Sequence, residues 1–88
     1  MHLKEGFVLR ELGDEHIVIG EGLTVDFQRL VSLNSSAAFL WHRVEGREFD
    51  VEDLTNLLLD EYEVELEEAT AAAREIARAW IEAGLSEE

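Results

Sequence analysis

The sequence predicts an α+β fold, a three-stranded antiparallel sheet followed by three helices. Three observations predict it. Two short segments rich in branched and aromatic residues, Phe7–Leu12 and Glu15–Ile19, flank a Gly-Asp turn, and from Leu23 to Leu33 apolar residues recur at alternate positions, the pleat period of a half-buried strand. From Ala37 onward they recur at helical spacing instead. Glycines or small polar residues mark most of the changeovers, and the connections they leave are short. The length of 88 residues suits one domain, residues 1–88, and a hydrophobic fraction of 47% favours folding over disorder. A chain of this size buries roughly 60–65% of the surface it exposes when unfolded, enough for a modest core.

Phe7 to Leu12 reads as the first strand. Gly13-Asp14 follows as a two-residue turn, because Gly takes the positive φ of a tight hairpin at no steric cost. Glu15 to Ile19 is the returning strand, ended by Gly20-Glu21-Gly22. From Leu23 the odd positions are apolar: Leu23, Val25, Phe27, Val31 and Leu33, with Arg29 as the interruption. This predicts a third strand, open to a split near Gln28. Asn34, Ser35 and Ser36 then satisfy the free N–H groups of a first helical turn, so strand passes directly into capped helix.

Ala37, Leu40, Trp41 and Val44 share one helical face, and Gly46 ends that helix. Asp50 is the N-cap of the next, with Phe49 placed to staple onto Leu54. Val51, Leu54, Leu57, Leu58 and Glu61 carry it to about Tyr62, and Glu63-Val64-Glu65 is the joint. The last helix is predicted from about Glu67 to Ala83, with Gly84 as its left-handed cap. At ~100° per residue its central stripe is Leu66, Ala69, Ala73, Ile76 and Trp80. Ala72 and Ala83 widen that stripe on one side, Ala77 and Ile81 on the other. The apolar arc spans about half the circumference, wider than the ~100° of an ordinary surface helix. Much of the extra width is alanine, which suits two close neighbours or a shallow apolar groove wall.

Charge excludes more than it proposes. Seven Lys and Arg against 21 Asp and Glu leave a formal net charge of −14. Such a surface repels phosphate and anionic lipid, so neither nucleic acid nor membrane is an expected partner. With no Cys, thiol chemistry and thiolate metal sites are excluded. Met1-His2-Leu3-Lys4-Glu5 opens no long apolar run, so neither signal peptide nor membrane span is expected, and a cytoplasmic location is. His2 falls in an end expected to fray, His16 in a strand and His42 on a helix. No two of them stand at a metal-ligating spacing. Ser35 and Ser36 read as capping residues rather than nucleophiles. No catalytic residue, metal site or cofactor is expected.

At Leu33-Asn34, Ala37-Ala38 and Leu40-Trp41 the chain resembles the PqqD family, the small protein of pyrroloquinoline quinone biosynthesis. The hairpin Phe7–Ile19, the glycine at Gly46, the joint Tyr62-Glu63-Val64 and the closing Gly84-Leu85 extend the resemblance over nearly the whole length. Ser36 stands where many relatives carry Thr, Ala72 where an acid is common, and Trp80 where an aliphatic is usual. The resemblance implies a winged-helix-like fold and a leader-peptide recognition element, with no enzymatic activity of its own. The leader of a ribosomally made precursor adds as a strand along the third strand, its side chains resting on the last helix. Carried onto this sequence, the edge is Arg29, Leu30, Val31, Ser32 and Leu33. The groove wall is Ala72, Ile76 and Ala79. Arg29 and Arg78 are candidates for pairing with leader carboxylates. The implied partners are the precursor leader and a modifying enzyme, with a radical S-adenosylmethionine enzyme as one candidate.

Two other classes compete. A winged-helix DNA-binding regulator suits the predicted fold, but the last helix carries only Arg74 and Arg78 among several acids. An acidic carrier protein suits the length and charge, but an Asp-Ser-Leu helix start is absent. An unprotected strand edge can pair with a second copy as well as with a peptide, so monomer and homodimer both remain open.

Overall fold

The computed structural model describes residues 1–20 and 30–88. The hairpin forms as expected, with β2 (Phe7–Leu12) antiparallel to β3 (Glu15–Gly20) and Gly13 at φ 64° in the turn. β4 (Leu30–Leu33) pairs antiparallel with β3, giving the order β2-β3-β4. Leu9, Val18 and Val31 stand opposite one another across the three strands. Leu9 and Val18 are buried and Val31 packs against the same core, so this row is the sheet's inner face. The predicted stretch from Leu23 to Arg29 lies outside the described residues.

α1 spans Ser35–Val44, α2 Val51–Glu61 and α3 Leu66–Glu82. The cap of α1 is Asn34 alone: its side chain accepts from the Ala37 N–H at 2.8 Å, and the Ser36 hydroxyl donates to it at 3.0 Å. Ser35 is simply the first helical residue. Asp50 and Asp53 close a reciprocal capping box on α2, each carboxylate accepting from the other's N–H. The end of α3 is a Schellman motif. Gly84, at φ 77°, bonds back to the Ile81 carbonyl, and Leu85 N–H reaches the Trp80 carbonyl at 2.8 Å. Leu85 is thereby tucked into the core.

That turn redirects the chain into an element the sequence did not predict. Ser86–Glu87 forms β5, which pairs antiparallel with β1 (His2–Leu3) in a separate two-stranded ribbon. The expected three-stranded sheet is present, and the ribbon adds two further strands among the described residues. The expectation that His2 frays is wrong. Its ring nitrogens lie 3.1 Å from Glu48 Oε1 and 3.1 Å from Glu87 Oε1. Met1 and Phe49 also exchange backbone hydrogen bonds, 2.8 Å in each direction. Two-residue strands have no readable period, which hid the ribbon.

The core lies between the sheet's inner face and the helices. Trp80 on α3 meets Trp41 on α1 edge-to-face at 5.5 Å, and Phe49 at 6.1 Å. Trp41 donates its indole N–H to Glu45 Oε1 at 2.7 Å, so its polar end is satisfied. No helix among the described residues is long and apolar enough to cross a membrane.

Two substitutions grade this architecture. Asp50→Ala removes the capping box and should cost about 1 kcal/mol in urea unfolding. Trp80→Ala empties the centre of the aromatic cluster and should cost about 3–5 kcal/mol.

Candidate functional site

β4 is an edge strand: among the described residues β3 is its only neighbour. Its free side offers the N–H and C=O groups of alternate residues, because an antiparallel strand spends only every second residue on one neighbour. Nothing in Leu30-Val31-Ser32-Leu33 blunts that edge with a charge or a proline. Val31 and Leu33 lean toward the helices and are half-buried, whereas Leu30 is 60% exposed and Ser32 also faces solvent.

α3 runs beside this edge, and a hollow of about 220 Å³ separates them. Val31, Ser32, Leu33 and Asn34 form one wall; Glu75, Ile76 and Ala79 form the other. Ala37 and Trp80, both buried in the core, close the bottom. The hollow is smaller than ordinary small-molecule sites, which hold roughly 300–1,000 Å³, and is scaled to individual side chains.

The helix explains this geometry. Its apolar half divides into two stripes. Ala69, Ala73, Ala77 and Trp80 are buried and hold α3 on the core. Ala72 and Ala79 are exposed, with Ile76 half-buried between them. Small side chains on this second stripe keep the helix flank low beside the strand.

A second hollow, about 360 Å³, adjoins the same flank two turns nearer the start of α3. Ser36, Leu58, Tyr62, Val64, Glu68, Ala69 and Ala72 line it. Tyr62 is held edge-to-face against Phe39 at 5.9 Å, and the Arg43 guanidinium lies 5.8 Å from the Phe39 ring centre. Tyr62 and Val64 are among the exposed large apolar residues of the chain, so this joint between helices is open to a ligand.

The predicted residues distribute unevenly. Val31, Ser32, Leu33, Ile76 and Ala79 come together around one hollow, with Leu30 at the outer end of the strand. Ala72 belongs to the adjoining hollow. Arg78 lies with Ala71, Arg74 and Glu75 on another side of α3, its guanidinium 3.9 Å from the Glu75 carboxylate. Arg29 lies outside the described residues. Sequence reasoning missed Glu68, Glu75, Tyr62 and Val64 as lining residues. The spacing Glu68, Ala72, Glu75, Ala79 (four, three, four) is a legible seam, but its two acids fall outside the apolar stripe by which the helix is read.

Elsewhere, Glu11 stands between two histidines, 3.3 Å from His16 Nδ1 and 3.9 Å from His42 Nε2. No group of three or more His, Cys, Asp or Glu able to hold a metal ion occurs among the described residues.

Comparison with known proteins bears on this site. Residues 9–85 match the model of the family described as coenzyme PQQ synthesis protein D (PqqD). A solved structure, TbiB1 in complex with the TbiA(beta) leader peptide, superposes with a TM-score of 0.73. That alignment covers 97% of this chain and 93% of the other at 18% identity, so what it establishes is the common fold. No curated protein matches the chain.

The two stripes of α3 predict opposite responses to enlargement. Ala79→Leu should shift unfolding free energy by no more than about 0.5 kcal/mol, since the position is open. Ala73→Leu, at a position with 0% exposure, should cost about 1–3 kcal/mol by overpacking. Thermal and urea unfolding of the two variants check both.

Proposed function

The chain belongs to the PqqD family, and from that premise we propose a non-catalytic module that binds the leader of a ribosomally made precursor peptide. The leader adds as a further strand along β4, with alternate side chains resting on α3, and the module presents it to a modifying enzyme. The observation that carries this reading is the uncharged free edge of β4 facing the open alanine flank of α3 across a side-chain-sized hollow.

The physics of strand addition suits that arrangement. Main-chain hydrogen bonds supply affinity whatever the sequence, and hollows for alternate side chains supply selectivity. Leu30 to Leu33 carry the ladder; Ile76, Ala79 and Ala72 receive the side chains. TbiB1, whose structure holds a leader peptide, has the same fold and supports the reading by likeness. We assign the module to the cytoplasm, where ribosomal precursors are made, and place a radical S-adenosylmethionine enzyme among its candidate partners.

Calorimetric titration with the short peptides encoded beside its gene tests the proposal. The expected result is a dissociation constant near micromolar, about −8 kcal/mol. Failure of every such leader to bind tighter than roughly 1 mM, about −4 kcal/mol, would contradict it.

Proline substitution then locates the ladder. Neighbouring residues of β4 direct their N–H groups to opposite sides. Of Val31→Pro and Ser32→Pro, one should therefore abolish peptide binding while the fold persists, and the other should weaken the β3–β4 pairing itself. Ala79→Leu should also reduce affinity, by filling the hollow without unfolding the chain.

A further inference from the structure

Among the described residues, each hollow on the α3 flank contains one charged side chain, and in both it is a glutamate. Glu75 stands beside β4, and Glu68 beside Tyr62 and Val64. Among the described residues, no Lys or Arg lines either hollow. The two acids are seven residues apart on the same side of the helix, which places them about 10.5 Å apart along its axis. Glu68 is exposed, and the Glu75 side chain is 76% exposed.

Glu75 has a cationic neighbour in Arg78, but the 3.9 Å separation exceeds the ~2.7–2.9 Å of a charge-assisted hydrogen bond. Both partners are well solvated, and such pairs hold little energy. An incoming cation can displace Arg78 at small cost. A strand added to β4 advances about 3.3 Å per residue and turns alternate side chains toward α3. Residues two or four positions apart therefore bracket the spacing of the two carboxylates, and the length of Lys and Arg side chains covers the difference.

We infer that the docked peptide segment is basic: apolar residues seat in the two hollows, and Lys or Arg side chains two or four positions apart pair with Glu75 and Glu68. The inference rests on the strand-addition reading and names the chemistry of its ligand. It reverses the sign expected from Arg78, which lies off the groove. The formal net charge of −14 acts in the same direction, drawing a basic segment toward the groove before contact.

The probe is a displayed library of randomised twelve-residue peptides, selected on the full chain at about 0.15 M salt. Parallel selections use E68Q/E75Q, E68K/E75K and a control, E5Q/E52Q, which removes two exposed acids away from the groove. Enriched peptides are then titrated by calorimetry against each variant and against Val31→Pro and Ser32→Pro. The expected result is enrichment of Lys or Arg at a spacing of two or four. Affinity should fall about three- to twentyfold in E68Q/E75Q and hold in E5Q/E52Q. Selection on E68K/E75K should enrich Asp or Glu instead. Peptides that need β4 but show no basic preference, or that weaken equally in E5Q/E52Q, would overturn this inference and leave strand addition standing. Peptides indifferent to both proline changes would overturn strand addition and this inference with it, as would no enrichment at all.

Discussion

The edge-to-face packing of Trp80 on Trp41 and Phe49 is the interaction on which the rest of the structure depends. It ties α3 to α1 and to the segment leading into α2, and it does so beneath the groove. Trp80 is only 2% exposed, yet it also closes the bottom of the hollow beside β4. The same side chain fixes the core and sets the distance between the edge strand and the helix flank. Ala73 and Ala77 let α3 settle close to its neighbours, while Ala72 and Ala79 leave the adjoining flank low. A groove between an edge and a helix keeps its width only if the helix cannot shift. Here the aromatic cluster provides that constraint.

An exposed edge without Lys or Pro is ordinarily a liability, because a second copy can pair with it. The high negative charge opposes that outcome. Copies of a chain at −14 repel one another, while a basic or neutral peptide meets no such barrier. Charge and edge are therefore coupled features. The same acid that disfavours phosphate also opposes pairing of β4 with a second copy. The β1–β5 ribbon, joined to Glu48 and Phe49 through His2 and Met1, contributes no residue to either hollow.

Most of the fold was legible because its signals are local and periodic. Gly13 in the hairpin, the Asp50 cap and the Gly84 terminus act through backbone chemistry that depends on few neighbours. Strand β4 and the α3 face were legible through alternation and helical spacing. The β1–β5 pairing was not, since it joins two-residue segments more than 80 positions apart and leaves no period to read. Within the site, Ile76 was legible on the central apolar stripe, and Ala79 through the family resemblance. Glu75 and Glu68 were not, because a glutamate on a helix reads as solvated until a neighbouring element makes it the rim of a groove. Ser35 and Ser36 were credited with capping that Asn34 performs, a distinction set by one backbone dihedral rather than by residue type.

Amide hydrogen exchange of β4, followed residue by residue as a gene-adjacent leader peptide is added, tests the central claim most directly. Strand addition predicts new protection at alternate amides within Leu30 to Leu33, with side-chain shift changes at Ile76 and Ala79 and none at the β1–β5 ribbon. Saturable binding that leaves the β4 amides exchanging as before would contradict it.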